Sequence, residues 1–316
     1  MTREEIKSRL QARGGEQQEL FSHARQARDK AQGNRLNIRG VIELSNSCVE
    51  NCQYCAMRRD NHALNRYILD EATVLSVAGD IINAGIPTVF LQSGESPKCG
   101  QLLERIIPEI YTRYHCSIIL CAGKRDAETY ARYKDAGAEG YILKFETANP
   151  ALYEDATGAS HQERLSCIRG IRAAGMKLGT GSIVGLPNQT LEDIVDDILL
   201  AAHFAPDFVS VAPFIPNSGT PYETVPKGDI DLTLNTMAIW RILFPAALIP
   251  TVSALEYIHP DGQAAGLSAG ANVITINFTP KQSRDKYAIY AKDRFVVSLE
   301  HAHKTAEKAG MPLHVV

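Results

Sequence analysis

Cys48, Cys52 and Cys55 stand in a C-x3-C-x2-C spacing directly after the largely apolar run Ile38 to Leu44. Thiolates are the preferred ligands of iron–sulfur clusters, and one compact loop carrying three of them can hold three irons of a 4Fe-4S cubane. The fourth iron is then open to the amino and carboxylate groups of S-adenosylmethionine (SAM), and can pass an electron to its sulfonium. SAM is a radical cofactor that a protein has only to position. Zinc on the same cysteines with His62 as fourth ligand is the competing reading. Structural zinc usually takes paired C-x2-C knuckles, however, and the chain has no second one. Seven cysteines in 316 residues, three clustered and four scattered, make no disulfide framework and fit a reducing cytosol.

Other segments carry candidate ligands. Leu91-Gln-Ser-Gly-Glu95 joins Gly94, which lets backbone approach a ligand, to Ser93 and Glu95, whose oxygens can accept from an ammonium. An ordinary polar turn accounts for it equally. In Lys144-Phe-Glu-Thr-Ala-Asn-Pro150, Glu146 can accept two directed hydrogen bonds from ribose hydroxyls, unless Lys144 and Glu146 form only a surface ion pair. Arg164 is either a two-pronged partner for a carboxylate or a solvated helix residue. The glycines of Gly181 to Thr190 allow a flat ligand such as adenine against the main chain, although a tight turn explains them nearly as well. Lys144, Thr251 and Ser253 offer one cation and two hydroxyls to a carboxylate, which points to a small anionic substrate.

The elements that must position these residues are legible as a period. Short β-branched runs fall at Leu36 to Leu44, Thr88 to Gln92, Ser117 to Cys121, Gly140 to Phe145, Lys177 to Val184, Phe208 to Pro213, Ile249 to Ala254 and Asn272 to Ile276. Helix-period segments lie between them: Glu71 to Ala84, Gln101 to Tyr114, Ala127 to Ala136, Gln162 to Ala174, Leu191 to His203 and Leu232 to Phe244, with an eighth helix around Val297 to Ala309. Three helices stop at Ala-Gly, the glycine that a helix C-terminus favours. Eight βα units predict an α/β fold of the (βα)8 TIM type over residues 35–316, where chemistry sits at the C-terminal ends of the strands. Residues 1–34, rich in Glu, Gln, Ala, Arg and Lys and broken at Gly14-Gly15, predict an N-terminal helical extension. Net charge is −3 with both signs interspersed, which favours a small-molecule partner over nucleic acid or an anionic membrane. With no signal-like start and no membrane-length apolar run, the chain reads as cytoplasmic.

With these pieces in order, the sequence resembles the radical SAM superfamily, in the group that contains biotin synthase, methylornithine synthase and the FeFe-hydrogenase maturase HydE. HydE-type segments are the most similar: Ile42 to Asn46, Arg58 to Asn61, Leu91 to Glu95, Glu146 to Pro150, Val184 to Pro187 with Gln189-Thr190, Pro213 to Pro216 and Gly270 to Ile274. The resemblance implies Cys48, Cys52 and Cys55 as ligands of one 4Fe-4S cluster, Tyr54 and Val184 beside the SAM nucleoside, Ser93, Gly94 and Glu95 around its amino group, Glu146 on ribose and Arg164 on its carboxylate. It also implies a one-electron donor such as flavodoxin or ferredoxin, and a 5′-deoxyadenosyl radical acting on a small, anionic or sulfur-containing metabolite, with hydrogenase maturation as the specific role. Sulfur insertion or carbon-skeleton rearrangement of another metabolite, and a non-catalytic metal-binding module, are the alternatives. The substrate end departs from the HydE pattern: Lys144-Phe145 replaces Arg-His, Val252-Ser253 replaces a threonine pair, and the C-terminal cysteines of a second cluster are absent. Methylornithine synthase fits no better, since its amino-acid-binding serine and aspartate would fall on Val252 and Ala254. The Phe145 and Val252 replacements predict a more apolar pocket than HydE's.

Overall fold

A computed structural model describes residues 1–291 and 293–314. Two helices, α1 (Arg3–Leu10) and α2 (Gly14–Gln32), come first. Strand and helix then alternate through β1 (Leu36–Ser45), α3 (Glu71–Asn83), β2 (Thr88–Ser93), α4 (Pro97–Tyr114), β3 (Ser117–Cys121), α5 (Ala127–Asp135) and β4 (Gly140–Ile142). They continue through α6 (Pro150–Thr157), α7 (His161–Ala173), β5 (Lys177–Val184), α8 (Leu191–Phe204), β6 (Phe208–Pro213) and α9 (Ile230–Leu243). The remainder is α10 (Ser253–Ile258), α11 (Gly262–Ser268), β7 (Val273–Asn277), α12 (Lys281–Arg284), α13 (Leu299–Lys308) and β8 (Leu313–His314).

Seven strands form one parallel sheet in the order β6-β5-β4-β3-β2-β1-β7. Single parallel bridges from Leu248 to Phe208 on β6 and from Pro250 to Val273 on β7 join the two edges, so the sheet curls into the expected TIM-type barrel. The strand expected from Ile249 to Ala254 is reduced to this bridged stretch. Pro250 has no N–H to give a ladder, and Ser253 already opens α10. The two-residue β8, which the sequence reading lacks, pairs with the start of β1.

Side chains explain the local choices. Asp70, Asp126, Asn149, Ser160, Thr190 and Asp229 each accept a backbone N–H in the first turn of the helix they precede, satisfying a donor the helix itself leaves open. The Ala-Gly stops end α3, α5 and α7, their glycines all at positive φ. Strand β1 is buried at every position but Asn37, as a parallel strand covered on both faces must be. Ile6, Leu10, Leu20, Phe21 and Ala24 from the N-terminal helices join the same hydrophobic cluster as the barrel strands and helices. The end of α2 also reaches the floor of the barrel, where Gln32 accepts from Asn272 at 2.7 Å.

Candidate active site

The loop after β1 carries the three cysteines, and its shape is fixed by hydrogen bonds from Arg66, which the sequence reading did not single out, and from Asn46, which it named only within a similar segment. Arg66 donates to the carbonyls of Asn46, Met57, Arg58 and Asn61 at 2.6–3.1 Å. Asn46 accepts from the Tyr67 N–H at 2.8 Å and donates to the Asn65 and Lys286 carbonyls at 2.9 and 2.8 Å. The loop docks on the end of β2, where the Val49 N–H donates to the Glu95 carbonyl at 2.7 Å. Gly94 makes this approach possible: a Cβ there would lie 2.4 Å from the Ser47 carbonyl oxygen and 3.0 Å from the Cys48 Cβ. The glycine therefore serves the cysteine loop's own backbone.

Burial pushes all three thiols up, Cys55 to about 12, with Cys48 beside it adding to the effect. Thiolates at neutral pH in this loop thus need the positive charge of a metal. Among the described residues no group of three or more His, Cys, Asp or Glu side chains is arranged around one ion.

Above the barrel interior lies a cavity of about 350 Å3. It is lined by all the expected site residues except Val184: Cys48, Cys52, Tyr54 and Cys55 from the loop, Ser93, Gly94 and Glu95 after β2, Lys144, Glu146 and Arg164, and Thr251 and Ser253. Val184 is buried in the core cluster while its neighbour Ile183 lines the cavity, the alternation expected along a strand. Tyr54 packs with Leu152, Ala156, Ile183, Leu186 and Phe214, an apolar slot at the cavity wall.

Glu146 is a strained position of the site, as is Tyr290, whose φ is 67°. Glu146 sits at φ 65°, in the left-handed region that a non-glycine residue rarely takes. Its N–H donates to the Gly181 carbonyl at 3.1 Å and its carbonyl accepts from Ile183 at 2.8 Å, which tie it to β5 beyond the end of β4. Lys144 Nζ lies 3.1 Å from Oε2 and Arg164 Nη2 lies 3.6 Å from Oε1. Oε2 is nonetheless buried without a hydrogen bond of acceptable geometry, an acceptor awaiting a donor. The Lys144–Glu146 pair therefore forms, but inside the cavity rather than on the surface. Arg164 also donates Nε to the Lys144 carbonyl at 2.7 Å, so it braces this strand end as well as facing the cavity. Glu95, raised by burial, accepts the Lys124 N–H at 2.7 Å.

The substrate-end residues are less free than their types suggest. Thr251 donates its hydroxyl to the Gln263 carbonyl at 2.8 Å. Phe145 lies in the core cluster and does not line the cavity, so of the two replacements only Val252 lines it. The cavity also holds Arg39, Glu43, Cys121, Tyr287, Tyr290 and Arg294, none of which the sequence reading placed there. Arg39 and Glu43 had a signal, two charges four residues apart on one face of an otherwise apolar strand. Arg294 had none, because its partner Glu43 lies 251 positions away.

A strained carboxylate, a half-buried arginine and three clustered thiols around one cavity at the C-terminal ends of parallel strands are the parts a radical SAM site needs. The family model of the Radical SAM superfamily matches residues 42–201, and the chain belongs to that superfamily. Membership implies a 4Fe-4S cluster and SAM, and the orphaned Glu146 oxygen and the Gly94 approach fit that pair. The chain is 39% identical over 292 residues to the FeFe hydrogenase maturase subunit HydE of Thermotoga maritima, covering 92% of this chain and 84% of that one. It is 28% identical over 282 residues to the 3-methylornithine synthase of Methanosarcina acetivorans, covering 88% and 79%. A crystal structure of methylornithine synthase (PylB) superposes with a TM-score of 0.87 at 24% identity, covering 99% of this chain and 94% of that one, and so shares the fold. Among the described residues no helix is long and apolar enough to cross a membrane.

Proposed function

We propose that this chain is a HydE-like radical SAM enzyme that acts on a small anionic or sulfur-containing metabolite during assembly of a hydrogenase cofactor. The observation that carries the role is similarity to a HydE along nearly the whole of both chains. Cys48, Cys52 and Cys55 would hold the cluster, which, when bound, supplies the electron that cleaves SAM to methionine and a 5′-deoxyadenosyl radical. The protein's part is placement. Tyr54 and its apolar slot would take the adenine, Glu146 Oε2 the ribose hydroxyls, Arg164 the methionyl carboxylate, and Ser93 and Glu95 the ammonium. Val184 would contribute only through the strand that presents Ile183. Lys144 and Ser253 face the space left for substrate, with Thr251 fixed behind them. An electron donor of flavodoxin or ferredoxin type completes the scheme. Placing the chain in a maturation mixture that lacks only HydE tests the role. Hydrogen evolution by the added apo-hydrogenase should appear with this chain and SAM; SAM cleavage without hydrogenase activation would leave a radical SAM enzyme of another metabolite, by sulfur insertion or rearrangement.

A further inference from the structure

A second pocket, of about 410 Å3, lies outside the barrel between the starts of α4 and α5 and against the cysteine loop at Val49. Only Glu95 lines both this pocket and the main cavity. Its acids are all engaged: Glu104 pairs with Arg132 at 3.0 Å, Asp126 caps α5 by accepting the Thr129 N–H at 2.7 Å, and Glu95 accepts the Lys124 N–H at 2.7 Å. Lys124 stands between Glu50 and Glu163. Arg125 is the exception, a half-buried guanidinium with no carboxylate within ion-pairing distance among the described residues. One terminal nitrogen donates to the Lys124 carbonyl at 2.6 Å, and the other reaches only the Ser96 carbonyl, at 3.4 Å. A guanidinium has five donors, so most of its capacity is unspent. Ser96 is a second, independent observation. It stands at the N-cap of α4, yet its hydroxyl accepts no N–H from the first turn and has no partner among the described residues. The residue is only 7% exposed and lines the pocket. A side-chain hydroxyl so buried is nearly always paired.

We propose that this pocket binds the phosphate group of a small ligand through Arg125, Ser96 Oγ and the side-chain amide of Gln101. The guanidinium lies directly against the first turn of α4, since a Cβ on Gly100 would stand 3.6 Å from Arg125 Nε. Gln101, beside it on the pocket wall, has no hydrogen bond from its amide among the described residues. The N-terminal ends of two helices face the same space, and each carries the positive end of its dipole there. Donors from three side chains on two elements suit a tetrahedral dianion, which accepts on three oxygens. A planar carboxylate is met by the guanidinium fork alone. The pocket is larger than a phosphate, which leaves room for a small organic body. The site goes beyond the radical SAM reading, because Arg125, Ser96 and Gln101 have no part in holding the cluster or SAM.

Isothermal titration calorimetry of the anaerobic, cluster-loaded protein at constant ionic strength, with inorganic phosphate, glycerol 3-phosphate and acetate as probes, tests the site. Both phosphates should bind saturably, and acetate should bind more weakly by roughly tenfold or more. Arg125→Met should weaken the phosphates by a similar factor. Gly100→Asp tests the same point without removing a side chain. A Cβ there makes only ordinary contacts, and the new carboxylate reaches Arg125 and takes the place of the anion. Phosphate binding should be lost in that variant, which covers the case in which Arg125→Met does not fold. Tighter binding of glycerol 3-phosphate than of inorganic phosphate assigns the site to an ester, and the reverse order to the free ion; either order supports a phosphate site. No saturable phosphate binding, acetate binding as tight as phosphate, or undiminished phosphate binding in either folded variant overturns the proposal.

Discussion

Each of Cys48→Ala, Cys52→Ala and Cys55→Ala should abolish the SAM-coupled cluster, because a cubane held by two thiolates has little to retain its third protein-bound iron. Electron paramagnetic resonance of the reduced protein, with and without SAM, is the measurement; a normal SAM-shifted signal in any one variant would contradict the assignment. The same change at Cys99, on the buried face of α4, should leave the signal intact. Glu146→Gln and Arg164→Ala should spare cluster content and weaken SAM binding. A lost charge-assisted hydrogen bond is worth about 1.5 to 3 kcal/mol, so affinity should fall roughly tenfold or more, read by equilibrium binding. These residues were legible because their types are rare in such company: clustered thiols, and an acid and a base at a strand end. Arg39 and Glu43 left only the trace of two charges on one face of an apolar strand, because such a charge announces its depth only once the direction of its side chain is known, and Arg294 left none.

Among the elements, the turn from β5 into α8 carries more structure than its glycines suggested. Gln189 accepts from the N–H groups of Gly185 and Leu186 at 2.7 and 3.2 Å, and donates to the Ile183 carbonyl at 2.9 Å and Asp197 Oδ2 at 3.2 Å. The other Asp197 oxygen accepts the Ala148 N–H, so a buried carboxylate on α8 holds both the turn after β5 and the chain just beyond Glu146. The period of strands and helices was readable, but this staple was not, because its members lie on separate elements and only packing brings them together. Burial raises the Asp197 carboxyl to about 8. A carboxyl whose folded pKa lies above its unfolded value contributes stability that is complete below the unfolded value, near 4, and lost as pH rises through about 8. Asp197→Asn cannot titrate. It should lose a hydrogen bond at every pH, but its stability relative to wild type, read from thermal melts, should improve steadily from pH 5 to pH 8, by an amount on the order of 1 kcal/mol per pH unit. A constant offset across that range would mean that Asp197 is already ionised at pH 5.

At the scale of the molecule, part of the cavity wall comes from a segment more than 240 positions after the first barrel strand. Residues 286–291 and 293–297 line one side of the cavity, held by Asn46 on the Lys286 carbonyl at 2.8 Å, by Asn217 on the Ala288 carbonyl at 3.0 Å, and by the Glu43–Arg294 pair. That pair joins the first barrel strand to this segment, with both side chains less than a tenth exposed. Burial raises the Glu43 carboxyl, and Arg294 is the main influence opposing it. Removing one partner of such a pair strands a charge and typically costs about 3 to 5 kcal/mol, whereas replacing both by apolar residues of similar volume is often close to neutral. Arg294→Met should therefore destabilise the anaerobic protein strongly, and Glu43→Met/Arg294→Met should recover much of the loss. The single variant should also be pH-dependent. Without Arg294 the folded-state pKa of Glu43 rises further, so protonation at low pH relieves the stranded charge, and the deficit should be smaller at pH 5 than at pH 8. Thermal melts of wild type, both single variants and the double variant at the two pH values complete the cycle. If the two single losses simply add in the double variant, the pair is not what fastens this segment to β1, and the asparagine contacts to Lys286 and Ala288 hold it instead.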